Sequence, residues 1–96
     1  MLERDFQAKI IRKIKSRYKD SIVLKNDAGY IQGIPDITIL YGPHWAVLEF
    51  KKNSFAHHQA NQEYYIDIMN KMSYAAFIFP ENEEEVFNEL DKLFES

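Results

Sequence analysis

The chain has no cysteine, so it can form neither a disulfide nor a thiolate metal site. Glycine and proline number three each, and no stretch is repetitive or of low complexity; a flexible linker and a fibrous repeat are both excluded. No apolar run approaches membrane-spanning length, and the opening residues MLERDFQAK carry charges where a signal peptide needs an apolar segment. The expectation is an intracellular chain that meets no membrane. Ninety-six residues with 46% hydrophobic and 28% charged side chains suffice for one domain with one core, and a second core has no room.

What charge there is falls unevenly. Residues 1–19 hold seven Lys/Arg (Arg4, Lys9, Arg12, Lys13, Lys15, Arg17, Lys19) against Glu3 and Asp5, whereas residues 81–96 hold seven acids against Lys92. One end could meet a polyanion and the other would repel it; the alternative is that both are solvated helix faces.

Hydrophobic spacing predicts the elements. Leu2, Phe6, Ile10, Ile14 and Tyr18, four apart with Ile11 beside them, predict an amphipathic helix over residues 2–18. SIVLK (21–25) reads as a short strand, and NDAGYIQG (26–33) as a loop of turn formers. DITIL (36–40) and WAVLEFK (45–51) form a hairpin through residues 41–44. A helix over 57–72 presents Ala60, Tyr64, Tyr65, Ile68, Met69 and Met72 on one side, with Ser54 a candidate cap and Tyr64 and Tyr65 assigned to the core. SYAAFIF (73–79) reads as a strand covered on both faces, and Pro80 ends it. Asn82 before Glu83, Glu84 and Glu85 resembles an N-cap, and Val86, Phe87, Leu90, Leu93 and Phe94 line the last helix. The order is αβββαβα, an α/β (α+β) domain.

The hairpin carries the chemistry. Side chains alternate along a strand, so Ile37 and Ile39 face the core from one strand and Ala46, Leu48 and Phe50 from the next. Symmetric closure pairs Leu40 with Trp45, Thr38 with Val47 and Asp36 with Glu49, which sets two carboxylates opposite each other, Cβ atoms roughly 5 Å apart. Lys51 follows on the same face, about 7 Å along. Like charges in such a position destabilise a sheet unless a cation compensates. Carboxylate oxygens suit Mg²⁺, with the Phe50 carbonyl a further donor; such an ion activates water for attack on phosphorus, and Lys51 can orient that water or offset charge on the phosphate. The alternative is structural: Asp36 caps the loop while Glu49 and Lys51 form an exposed ion pair.

Pro35-Asp36 followed by Glu49-Phe50-Lys51, in this element order, resembles the PD-(D/E)XK nuclease superfamily and its restriction-endonuclease-like core, a mixed sheet flanked by helices. GIPDITIL, AVLEFKK and a helix containing glutamines look most like the small VRR-NUC type, found in bacteriophages and repair enzymes and related to Holliday-junction resolvases. The resemblance covers nearly the whole chain, the last helix being an addition. It implies that Asp36 and Glu49 ligate Mg²⁺, for which Mn²⁺ can substitute, and that Lys51 is the catalytic lysine. It also implies a DNA endonuclease for four-way junctions or other branched DNA, acting in the cytoplasm, that of a host if a phage encodes it.

Other residues are candidates for the same site. Glu3 falls within the apolar stripe of the first helix, whereas Asp5 points away, so Glu3 is either a further metal ligand or part of a solvated terminus. Gln59 and Gln62, three apart on a helix, are candidates for water or phosphate binding, as the VRR-NUC resemblance suggests. Lys25 could touch a phosphate, and Tyr30 could stack on a base in a loop where Gly29 and Gly33 allow close approach. His44, His57 and His58 lack ligand spacing, although His57 or His58 could touch DNA. A domain this small covers little duplex, and two sites suit a two-strand cut, which predicts a homodimer. The rival readings are a non-catalytic nucleic-acid-binding module, binding through the basic first helix, and a small structural dimer.

Overall fold

The computed structural model describes every residue, Met1–Ser96. Its elements are α1 (Glu3–Arg17), β1 (Ile22–Lys25), β2 (Ile37–Tyr41), β3 (His44–Phe50), α2 (Ala60–Met72), β4 (Tyr74–Ile78), a 3₁₀ turn (Pro80–Asn82) and α3 (Glu83–Glu95). The order αβββαβα holds, and the domain is mixed α/β. The four strands lie in chain order, β1 and β3 antiparallel to β2, and β4 parallel to β3 through the α2 crossover.

α1 and α3 share one face of the sheet. Phe6, Ile10, Ile14 and Tyr18 of the α1 stripe meet Val86, Phe87, Leu90 and Phe94 of α3 over Ile37, Ile39, Ala46, Leu48 and Phe50, all buried in one cluster. Leu2, assigned to the same stripe, is instead 59% exposed, because the helix begins one residue later and leaves it outside the first turn. The two charged ends of the chain also meet on this side. Lys9 and Lys13 pair with Glu83, and Arg17 with Asp91, whose other neighbour is the Tyr18 hydroxyl, donating at 2.6 Å. The α1 cations that might have met a polyanion are thus partly taken up by α3.

α2 differs from its expected role. It starts at Ala60 rather than near 57, and none of its residues is buried; Tyr64 is 58% exposed and Met72 66%. A single helix laid over β3 and β4 leaves Ile22, Leu24 and Leu40 exposed on the same face of β1 and β2, and the Tyr64 ring packs on Tyr65 of its own helix, 5.1 Å away. Ser54 does not cap it. The Ser54 N–H and hydroxyl donate to Glu81 instead, at 3.2 and 3.1 Å. Asn82 stands before α3 but turns back: its Oδ1 accepts from the Phe79 N–H and its Nδ2 donates to the Phe77 carbonyl, both at 2.9 Å, which fastens the end of β4.

The hairpin is tighter than expected. Tyr41 pairs with His44, so only Gly42 and Pro43 form the turn, and Gly42 takes the positive φ (57°) that such a turn requires. The register is unaffected, with Leu40 opposite Trp45 and Thr38 opposite Val47.

Candidate active site

Ile37 pairs with Leu48 at the start of β2, so the next step outward sets Asp36 against Glu49. Both carboxylates lie on the face of Thr38 and Val47, opposite the main core. Asp36 is fixed from several directions. Its Oδ2 accepts the Phe50 N–H at 2.8 Å, and its carbonyl accepts the Asn26 N–H at 2.8 Å. The Asn26 side chain donates to the Pro35 carbonyl at 2.9 Å and exchanges hydrogen bonds with Thr38. Asn26 is a positioning residue that the sequence reading passed over, because an asparagine opening a loop of turn formers has an ordinary local explanation.

Asp36 and Glu49 stand close enough for each to shift the other's affinity for a proton. Glu49 is 5% exposed and Lys51 8%, the only charged residues that the fold buries. Burial raises the affinity of both carboxyls for a proton; the Asp36 charge adds to this at Glu49, which is pushed up to about 8, while Lys51 pulls the other way. An exposed Glu49–Lys51 ion pair is therefore not what forms. Gln62 stands between them: Lys51 Nζ donates to Gln62 Oε1 at 2.9 Å, and Gln62 Nε2 donates to Glu49 Oε2 at 3.0 Å. Lys51 Nζ also donates to the His57 carbonyl at 3.1 Å.

Of the two candidate glutamines, Gln62 is the one at the carboxylates. Gln59 is exposed, and its N–H donates to Gln62 Oε1 at 3.1 Å, which orients the Gln62 amide. Lys25 pairs with Ile37 and so belongs to the opposite face from Asp36. Tyr30 is 85% exposed on the β1–β2 loop. Gly33 of that loop has φ 90°, and a Cβ there would lie 2.7–2.8 Å from Asn61 of α2; the expected close approach is made to the helix that carries Gln62.

Glu3 is exposed at the first turn of α1 rather than turned into the core, since the helix starts at that residue and its stripe begins at Phe6. Its charge nonetheless contributes to raising Glu49. No three Asp, Glu or His side chains gather into a ready cation cage, so the hard donors at this edge are Asp36, Glu49 and the Phe50 carbonyl. Two of the histidines are engaged elsewhere: the His44 ring meets the Ser96 carbonyl at 2.9 Å, and His58 stacks on Phe77 at 3.9 Å.

The carboxylates sit at the ends of the two central strands, β2 and β3, and line none of the hollows. The largest hollow, about 610 Å³, runs between α1 and α3 past Lys13, Arg17 and Glu84. A smaller one of about 230 Å³ lies among Asn26, Tyr30, Thr38 and Met69, on the carboxylate side of the sheet.

No family model, curated protein or solved structure matches this chain. No helix is long and apolar enough to cross a membrane.

Proposed function

We propose that the chain is a metal-dependent DNA endonuclease of the PD-(D/E)XK, VRR-NUC type. The observation that carries this reading is the meeting of half-buried Asp36 with buried Glu49 beside Lys51. Burial raises the proton affinity of both carboxyls, and the Asp36 charge raises that of Glu49 further; this is a costly arrangement, and a divalent cation relieves it. Mg²⁺, or Mn²⁺ in its place, would be held by Asp36, Glu49 and the Phe50 carbonyl, and when bound it supplies an activated water and offsets phosphate charge. The protein does the rest. Asn26 and the Phe50 N–H hold Asp36 in line, and Gln62 fixes the Glu49 carboxylate. Lys51, kept close by Gln62 and His57, presents an ammonium to the phosphate.

The substrate in this reading is four-way or other branched DNA, and the active species is a homodimer. The sheet face that α2 leaves open supports the second part: Ile22 is 57% exposed, Leu24 45% and Leu40 36%, an apolar surface that a second copy would cover. A non-catalytic module binding through α1 is disfavoured by the pairing of Lys9, Lys13 and Arg17 with α3.

The test is cleavage of plasmid and branched DNA with Mg²⁺ or Mn²⁺. Wild type should cut, and Asp36→Ala and Lys51→Ala should each lose on the order of 100-fold in rate. Equal activity in all three proteins would reject the assignment, and sedimentation showing only monomer at micromolar concentration would reject the dimer.

A further inference from the structure

The turn that follows Lys51 holds a phenylalanine in water. Phe55 is 91% exposed, the most exposed large apolar side chain in the molecule. A single apolar residue at a surface needs no explanation by itself, but this one stands on a turn fastened at every side. Asn53 Oδ1 accepts the Phe55 N–H at 2.9 Å, and the Asn53 carbonyl accepts the Ala56 N–H at 3.3 Å. Ser54 is tied to Glu81, and the His58 ring lies nearly parallel to that of Phe77, 11° between planes. The His57 carbonyl receives Lys51 Nζ. A floppy turn would let the ring fold down onto apolar surface; this one presents it.

The surroundings favour a polyanion. Residues 51–60, KKNSFAHHQA, contain two lysines and no acid, in a chain whose net charge is −3. Lys52, Phe55 and His57 are all exposed; of the two carboxylates drawn to this segment, Glu81 is engaged by Ser54 and Glu63 lies 3.7 Å from the His58 ring. Four residues separate Phe55 from Lys51, so their Cα atoms lie within roughly 14 Å, a few nucleotides along a strand. On the β1–β2 loop, Tyr30 offers a second exposed ring.

We infer that Phe55 is a stacking platform for an unpaired base beside the phosphate held at Asp36, Glu49 and Lys51. An aromatic ring gains from a base only if the base shows it a free face, which a base within a duplex does not; a Lys/Arg surface would serve a duplex better. The site therefore takes DNA with a single-stranded nucleotide next to the phosphate it engages. This rests on the nuclease reading for the place of that phosphate, but stacking can be measured without cleavage.

The experiment titrates a labelled single-stranded oligonucleotide and a blunt duplex of the same sequence, with Ca²⁺ as a non-cleaving substitute for Mg²⁺, into wild type, Phe55→Ala and Phe55→Trp. The expected result is about a tenfold loss of single-strand affinity in Phe55→Ala, with duplex affinity and melting temperature unchanged. Phe55→Trp should keep wild-type affinity, and its added indole emission, above that of the single native tryptophan, should be quenched by the single strand. Equal single-strand affinity in wild type and Phe55→Ala, or an unquenched indole, overturns the inference even if metal-dependent cleavage is found. Loss of affinity in Phe55→Ala without any cleavage by wild type upholds the platform and removes the nuclease assignment instead.

Discussion

On the α1 and α3 side of the sheet, seven helical side chains are buried, from Phe6 to Phe94, whereas α2 on the other side buries none. Charges follow the opposite rule. Those of α1 and α3 lie outside the core and pair across the two helices, while Glu49 and Lys51, on the α2 side, are the charged residues that the fold takes inside. One side is thus assembled from apolar burial with ion pairs at its rim, and stability is concentrated there. The other keeps a carboxyl pair and an ammonium in place with hydrogen bonds from Gln62, Asn26 and a backbone N–H. Burying like charges lowers stability, so a fold that retains them needs the opposite side to compensate.

Truncating each side in turn should expose that difference most strongly. Leu90→Ala, in the α3 core, is expected to lower unfolding free energy by about 2–5 kcal/mol. Met72→Ala, at the exposed end of α2, should change it by less than about 0.5 kcal/mol in the monomer, with denaturant titration as the check. Comparable losses would mean that α2 is covered in solution.

Gly33→Ala sharpens the account of the functional side. The new methyl meets Asn61 backbone and side chain at a positive φ, so a loss of about 1–3 kcal/mol is expected. Cleavage should fall further than the unfolded fraction explains, because α2 carries Gln62. Rate and melting temperature measured on one preparation separate the two effects.

The rim of the stable side should show itself in acid. The Arg17 guanidinium, then the Tyr18 hydroxyl, hold the Asp91 carboxyl below its usual range. A carboxyl with a depressed folded-state pKa stabilises the fold above its unfolded value, about 4, and that contribution is lost as pH falls through the folded value. Wild type should therefore lose stability below pH 4 more steeply than Asp91→Asn, a modest difference visible in melting curves.

The sequence made the stable side easy to read, because Phe6, Ile10 and Ile14 recur at helical spacing and Val86, Phe87, Leu90 and Phe94 repeat it. The meeting of Asp36 and Glu49 was legible for a related reason: strand alternation and hairpin register follow from local pattern, and a turn shortened by two residues left the register intact. The parts that escaped depend on neighbours distant in sequence. Tyr64 and Met72 have core-like spacing but no layer above them, Ser54 has a cap-like position but a better partner in Glu81, and Asn26 matters only because Pro35 folds back beside it.

A calorimetric titration of Mn²⁺ into metal-free protein at pH 8, compared between wild type and Asp36→Asn, addresses the carboxylate pair itself. The substitution preserves an acceptor for the Phe50 N–H and removes only the second negative charge. Saturable binding in wild type that disappears in Asp36→Asn, together with a melting temperature for the metal-free variant at or above that of wild type, is the predicted outcome. Identical heats in the two proteins, or no binding in either, would contradict the claim that the fold holds these two acids together for a cation.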